Sequence, residues 1–391
     1  MKPILRFTNF DNDWEEIKLL KIASEISYGM NAASKEYDGE NKYIRITDID
    51  EQTNKYIHKN IVSPDGNLEE KFLVKENDIL FARTGASTGK TYLYDKNDGK
   101  LYYAGFLIKA NIINHNANFI FQQTKLNKYN NWVKIMSMRS GQPGINSQEY
   151  GSYKFSITSP EEETKVANFL SLLDKKIELQ SKKIEDLKLF KKGLLILKFS
   201  NKVKNIKLEE IIKKGKAGGT PKSTVQKYYD GTIPFLSISD ISSQNKYIKH
   251  TEKCISEEGL KNSSTWLVPK NSIILSMYAS YGLSCINKIE LATSQAMYSM
   301  IFKDDIDVEF IYYYLYYLQQ INYYDRLVST GTQSNLNAEK VNKIKIYCPN
   351  YDIQKNISKL FVSCDRKILL EENKLLKLQE LKKGLMQSMF V

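Results

Sequence analysis

Gly85-Ala86-Ser87-Thr88-Gly89-Lys90-Thr91 follows an apolar, strand-like run and is the stretch nearest to phosphate chemistry. A nucleotide loop of the P-loop kind needs four residues between its glycines, so that backbone amides wrap the phosphates and the lysine reaches them. Here there are three, and the corresponding stretch further on, Ala279-Ser280-Tyr281-Gly282-Leu283, has no lysine. The better reading is a Gly-rich loop whose Arg83, Thr84, Ser87 and Lys90 face nucleic-acid phosphates or bases. Pro64-Asp65 with Glu69-Glu70-Lys71 is spaced too closely for a nuclease carboxylate cluster. No Asn-Pro-Pro-Tyr or Asp-Pro-Pro-Tyr occurs, so an amino-methyltransferase centre is missing, and no His-Glu-x-x-His occurs either. The pattern points to binding rather than catalysis.

Composition agrees. The 391 residues are too many for one ordinary domain, and 42% are hydrophobic, enough for proper cores. Lys and Arg total 57 against 45 Asp and Glu, a net charge of +12. Such a balance favours a polyanionic partner, nucleic acid before membrane. The opening MKPILRFTNFDNDW has no apolar core, so no signal peptide is expected. No run of eighteen apolar residues exists, so no membrane partner is expected. Cys254, Cys285, Cys348 and Cys364 form no C-x-x-C pair, and His58, His115 and His250 are the only histidines. A zinc or disulfide framework is not expected; a reducing cytoplasm is. The chain should bind no metal or cofactor of its own.

The chain repeats itself at an offset near 190. Ile17-Lys18-Leu19 matches Ile206-Lys207-Leu208, and Ile46-Thr47-Asp48-Ile49 matches Ile238-Ser239-Asp240-Ile241. Asn77-Asp78-Ile79-Leu80 matches Asn271-Ser272-Ile273-Ile274, and Pro160 matches Pro349. At an offset of 191, residues 161–199 pair with 352–390, and eleven of these 39 positions are identical. Among the identities are Asp174/Asp365, Lys191/Lys382, Gly193/Gly384 and Phe199/Phe390. The spacing therefore predicts two variable heads, 1–158 and 201–348, each followed by a better-preserved tail, 159–200 and 349–391.

The tails read as long helices. Leu170, Leu173, Ile177, Ile184, Leu187 and Leu194 recur on a seven-residue pattern in the first. Ile357, Phe361, Cys364, Ile368, Leu375, Leu378 and Leu385 do so in the second, with Gln180 and Glu371 at one shared polar seam position. The prolines and Glu161-Glu162-Glu163 suit helix starts. Forty helical residues span about 60 Å. A helix with one apolar stripe must pair, and the other copy is the natural partner. Chain order favours antiparallel pairing, which would hold two heads apart with pseudo-two-fold symmetry. The fold class expected is α+β. Strands are expected at Lys42–Ile49, Asp78–Arg83, Lys154–Ile157, Pro234–Ile241, Ser272–Met277 and Lys343–Tyr347, and a helix at Glu309–Tyr324.

Three pairs of polar, Gly-containing loops recur at equivalent places. The first is Ser27-Tyr28-Gly29-Met30-Asn31 with Lys216-Ala217-Gly218-Gly219-Thr220-Pro221. The second is Arg83–Lys90 with Tyr278–Gly282, which includes Ser280 and Tyr281. The third is Arg139-Ser140-Gly141-Gln142 with Gly331-Thr332-Gln333-Ser334-Asn335. Arg, Gln, Asn, Ser and Thr read base edges, whereas Lys and turn amides hold phosphates.

These features together resemble the specificity subunit of Type I restriction–modification enzymes, over essentially the whole chain. The resemblance is carried by Leu5-Arg6-Phe7 with Trp14, and by Asn77-Asp78-Ile79-Leu80-Phe81-Ala82-Arg83-Thr84-Gly85. Gly219-Thr220-Pro221 with Ile233-Pro234-Phe235-Leu236-Ser237-Ile238-Ser239-Asp240 adds to it, as do Ile255-Ser256-Glu257-Glu258-Gly259-Leu260 and the twin Lys-Lys-Gly-Leu helix ends. It implies two target recognition domains, each reading one half of a bipartite, asymmetric sequence in double-stranded DNA. Half-sites about one helical turn apart, roughly 34–36 Å, would suit such a reader. It implies helices that set the spacing and dock two modification subunits, which would bring S-adenosylmethionine and adenine N6 methylation. Restriction subunits would add ATP, Mg and cutting. By the same resemblance Arg83, Thr84, Gly85, Gly219, Thr220, Ser237, Ser239, Asp240, Tyr278 and Ser280 would contact DNA, with Ser239 and Asp240 alternatively supporting their loop from beneath. The first half lacks Gly-Gly-Thr-Pro, which leaves residues 27–31 only loosely matched. Two other readings stay open: a specificity subunit of a Type II enzyme, and a two-headed coiled-coil scaffold for proteins.

Overall fold

The computed structural model describes residues 1–138, 143–200, 202–203, 206–278, 280–329 and 336–391. It divides into two compact units, one of residues 1–181 with 373–391 and the other of 182–372. Each unit holds one head and a half of each long helix.

The first head is built on an antiparallel sheet in the order Ala23–Tyr28, Leu107–Ile112, Asp78–Ala82, Thr91–Leu93. Asn77 turns the chain into the third of these with a φ of 67°. Strand Asp78–Ala82 is buried on both faces, as its unbroken apolar run requires. Ile79 and Phe81 face a core with Trp14, Phe119 and Phe155, while Leu80 and Ala82 face another with Ile44, Tyr92 and Tyr103. That division follows from the two-residue period of a strand.

The second head repeats the order: Ile212–Ala217, Met297–Phe302, Ile273–Ser276, Ser284–Asn287, with Tyr247–Ile248 added in parallel at the edge. Asn271 makes the same entry turn at a φ of 61°. Ile273 and Leu275 meet Phe199 and Phe310, and Ile274 meets Leu236 and Ile241. A small antiparallel pair closes each head, Glu15–Lys18 with Lys154–Ile157 and Ile206–Lys207 with Lys345–Ile346. The helix expected at Glu309–Tyr324 is two, Val308–Gln320 and Tyr323–Ser329.

Two expected strands stop early. Lys42–Ile44 and Ile233–Leu236 are strands, but Ile46–Asp48 is a 3-10 turn and Ile238–Gln244 an α-helix. Capping explains the switch. Ser237 N–H and hydroxyl both donate to Asp240 Oδ2, at 2.8 and 2.5 Å, and Arg45 N–H donates to Asp48 Oδ2 at 2.9 Å. The apolar alternation that suggested strands continues only because one helical turn follows.

The long helices run Pro160–Phe199 and Tyr351–Met389. Ile184 and Ile368 are 5% and 9% exposed, and Leu173, Ile177, Leu187, Cys364, Leu375 and Leu378 are half-buried. Glu371, at the polar seam position, accepts from Lys183 Nζ at 2.9 Å. Within the first unit Asp174 meets Lys382, and within the second Lys191 meets Asp365. Partner numbers fall along the second helix as they rise along the first, so the pairing is antiparallel.

The acidic helix start does more than oppose a dipole. Glu162, 1% exposed, accepts from Arg6 Nε and Nη2 at 2.7 and 2.8 Å and from Trp14 Nε1 at 3.1 Å. The Leu5-Arg6-Phe7 and Trp14 motif thus straps the N-terminal segment to the helix. Glu163 accepts from Asn116 N–H at 2.9 Å, and its counterpart Gln354 accepts from Asp307 N–H at 2.9 Å. Asn116 and Asp307 in turn cap the helices Ala117–Gln123 and Val308–Gln320.

Candidate nucleic-acid interface

The first loop pair matches more closely than its residues suggest. Gly29 N–H donates to Leu107 O at 3.1 Å and Met30 N–H to Tyr103 O at 2.9 Å. Gly218 N–H donates to Met297 O at 3.0 Å and Gly219 N–H to Thr293 O at 2.9 Å. The same backbone clamp therefore holds 27–31 and 216–221 against the turn that precedes strand Leu107–Ile112 or Met297–Phe302. A Cβ on Gly219 would lie 2.6 Å from the backbone nitrogen of Thr265, so that position admits no side chain. Gly219 shapes its loop. Asn31 and Thr220 follow at equivalent, exposed positions, and Lys216 is exposed on its strand. Thr220 Oγ1 bonds Gln295 Oε1.

In the first head Tyr28 closes strand Ala23–Tyr28 and is 40% exposed. The Arg83 guanidinium lies 4.7 Å from its ring centroid. Ser147 donates to the Tyr28 oxygen from both its N–H and its hydroxyl, each at 3.1 Å. Burial pushes the Tyr28 phenol up, but the Ser147 bonds and the Arg83 charge prevail and bring it below its ordinary value. Arg83 Nη1 also approaches Gly105 O, at 3.5 Å. Thr84 bridges Gly144 and Gly85 N–H donates to Pro143 O at 3.0 Å, so Thr84 and Gly85 are backbone-pinned.

Lys90 and Tyr281 are placed otherwise than expected, and Asp240 takes the supporting place that was its alternative. Lys90 is 12% exposed and donates to Ile49 O at 3.2 Å, with Glu51 at 3.4 Å; it ties the loop to the neighbouring 3-10 turn and does not face out to phosphates. Ser87 lines the same depression as Thr47 and Asp50. Residues 85–89 also spell Gly-x-Ser-x-Gly, but they join two strands rather than a strand to a helix, and among the described residues Ser87 has no histidine partner. Asp240 is 1% exposed, and Glu252 N–H fills its second oxygen at 2.9 Å, so it supports the loop from beneath. Ser237 is its cap partner, while Ser239 is exposed, 2.8 Å from the Ser237 hydroxyl. Tyr281 turns onto the core and bonds Asp325, which raises its phenol.

Tyr278 is 41% exposed at the end of strand Ile273–Ser276, and Ser280 turns with a φ of 27°. Arg139, Gln142, Thr332, Gln333 and Asn335 lie outside the described residues, with the rest of that third loop pair and Ala279. Sequence reading missed the turns 103–106 and 293–296, which carry exposed Phe106 and Gln295. Their place just before a repeated strand was the available signal. Among the described residues no cluster of histidine, cysteine and carboxylates could hold a metal ion, and no helix is long and apolar enough to cross a membrane.

Two copies of one mixed head, each bearing clamped polar turns and joined by antiparallel helices, define a duplicated recognition protein. The chain belongs to the Type I restriction–modification DNA specificity family, whose domain model matches residues 12–189 and 200–380. It is 24% identical over 459 residues to the HindI specificity subunit of Haemophilus influenzae, covering 95% of this chain and 98% of that one. It is 29% identical over 143 residues to the MjaIX specificity subunit of Methanocaldococcus jannaschii, a match spanning 36% of this chain and 33% of the relative. The fold is similar to the crystal structure of the S subunit from M. genitalium, with a TM-score of 0.62 at 18% identity, covering 100% of this chain and 99% of the other. A chain from a structure on assembly of the type I R-M system superposes with a TM-score of 0.61 at 14% identity, over 95% and 96% of the two.

Proposed function

We propose that this specificity subunit reads a bipartite, asymmetric sequence in double-stranded DNA, one half-site per head, in the cytoplasm. The observation that carries this is the repeated backbone clamp at Gly29 and Gly218, which presents equivalent turns with different side chains. Equal scaffolds give two half-sites; unequal side chains make them differ. The helices set the half-site spacing and dock two modification subunits. Apolar side chains left exposed on them support that role, and two pairs recur through the duplication: Leu179 with Leu370 at 58% and 53%, and Phe190 with Leu381 at 58% and 51%. S-adenosylmethionine and adenine N6 methylation belong to those partners, and ATP and Mg to the restriction subunits. This chain contributes recognition.

The test is selection from a randomised duplex pool by the chain co-purified with its modification subunits. The expected result is enrichment of one gapped motif with two unlike halves. Binding that ignores sequence, and weakens only with salt, would overturn the reading.

A further inference from the structure

Resting on that reading, we infer that the turns 103–106 and 293–296 are the base-reading elements, and that they carry opposite chemistries: Phe106 with Arg83 in the first head, Gln295 with Thr220 in the second. Phe106 is 63% exposed, the most exposed aromatic side chain among the described residues. Its backbone is nonetheless fixed. Phe106 O accepts from Arg83 N–H at 3.0 Å, Gly105 N–H donates to Met30 O at 2.8 Å, and Leu107 N–H donates to Ala104 O at 2.8 Å. A rigid turn that holds a large apolar side chain in water has little structural use for it. Beside an arginine that reads guanine in the major groove, such a group packs on a thymine methyl.

Arg83 lies beside it, its guanidinium carbon 4.7 Å from the Tyr28 ring centroid and its Nη1 approaching the Gly105 carbonyl of the same turn. The cation–π contact and the Gly105 carbonyl keep the guanidinium at this turn, where it can reach the two acceptors of guanine. Tyr28 and Ser147 are positioning residues for it.

The second head keeps the backbone and changes the reader. Met277 N–H donates to Ala296 O at 2.8 Å, as Arg83 N–H does to Phe106 O, so Met277 stands where Arg83 does. Met277 is 4% exposed and carries no charge. The polar group moves to the turn itself, where Gln295 is exposed and its carbonyl oxygen is held by the Thr220 hydroxyl. An oriented carboxamide donates and accepts side by side, which matches the adenine edge in the major groove. The first half-site therefore contains guanine next to thymine at the positions these side chains reach, and the second contains adenine.

The experiment repeats the duplex selection with the same complex carrying Arg83→Lys, Phe106→Ala or Gln295→Ala. Phe106 and Gln295 are exposed, so their variants fold, and the untouched half-site is an internal control in every case. Arg83→Lys and Phe106→Ala are expected to flatten adjacent positions of one half-site, lowering discrimination about tenfold or more. Gln295→Ala is expected to flatten an adenine in the other half-site only. An unchanged motif, or a loss of affinity equal for all sequences, overturns the proposal while the wild-type motif keeps the functional reading intact. Absence of any motif with the wild-type complex overturns both.

Discussion

Lys191 on the first long helix donates to Asp365 on the second, Nζ to Oδ1 at 2.5 Å. Their duplicates, Lys382 and Asp174, make the same contact at 2.5 Å. Each carboxylate also binds its own head, since Asp365 accepts from the Tyr313 hydroxyl at 2.5 Å and Asp174 from Gln122 Nε2 at 3.2 Å. Within each unit the contact therefore ties both helices and the head of that unit together. A polar group in an apolar seam is a known device for fixing register.

A double-mutant cycle on Lys191→Ala and Asp365→Ala should give a coupling energy of about 0.5–3 kcal/mol in thermal unfolding. The lysines are 16% and 12% exposed, so screening by solvent is partial. Strict additivity of the two variants would mean that the pair does not hold the seam.

The C-terminal residues complete the first head. Phe390 is 6% exposed and packs on Phe119 and Trp14, with ring centroids 5.2 and 6.1 Å apart. Phe390→Ala should cost about 3–5 kcal/mol and weaken reading of one half-site before the other. Unfolding by denaturant and duplex selection measure the two effects.

Gly219→Ala should destabilise the second head by about 1–3 kcal/mol, because the new Cβ meets backbone on the neighbouring strand connection. Gly193→Ala is the contrast. It lies mid-helix with open space around its Cβ, so alanine there should stabilise by about 0.8–1 kcal/mol. Paired melting curves check both signs.

Stability should fall in acid partly through Glu162. Burial pushes its carboxyl up, but bonds from Arg6, Thr158 and Trp14 win and hold it below the ordinary value of 4.5. A carboxyl with a lower folded than unfolded value adds stability above the unfolded value and loses it as pH falls through the folded one. Arg6→Ala should therefore cost about 3 kcal/mol at pH 7. The gap from the wild type should narrow as pH drops below the ordinary glutamate value. A gap constant with pH would show that the Arg6 bond is not what holds Glu162 ionised.

The duplication, the two helices and the antiparallel pairing were readable because identity at one offset and a seven-residue apolar period are local, repeated signals. The reach of Lys90 was not, since its carbonyl partner, Ile49, is 41 residues away. Asp240 looked like a loop residue because its cap role depends on Ser237 adopting a helix start, and its other partner is Glu252. Residues 27–31 looked poorly matched to 216–221, yet their backbone bonds are the same; hydrogen bonding repeats where side chains have diverged. Phe106 carried no periodic signal, because an exposed side chain on a short turn answers to no core.

The most direct test of the account is single-molecule methylation sequencing of host DNA with and without this gene. Loss of one asymmetric, gapped N6-methyladenine motif and no other is the expected result. An unchanged set of motifs, in cells where the chain co-purifies with active modification subunits, would contradict it.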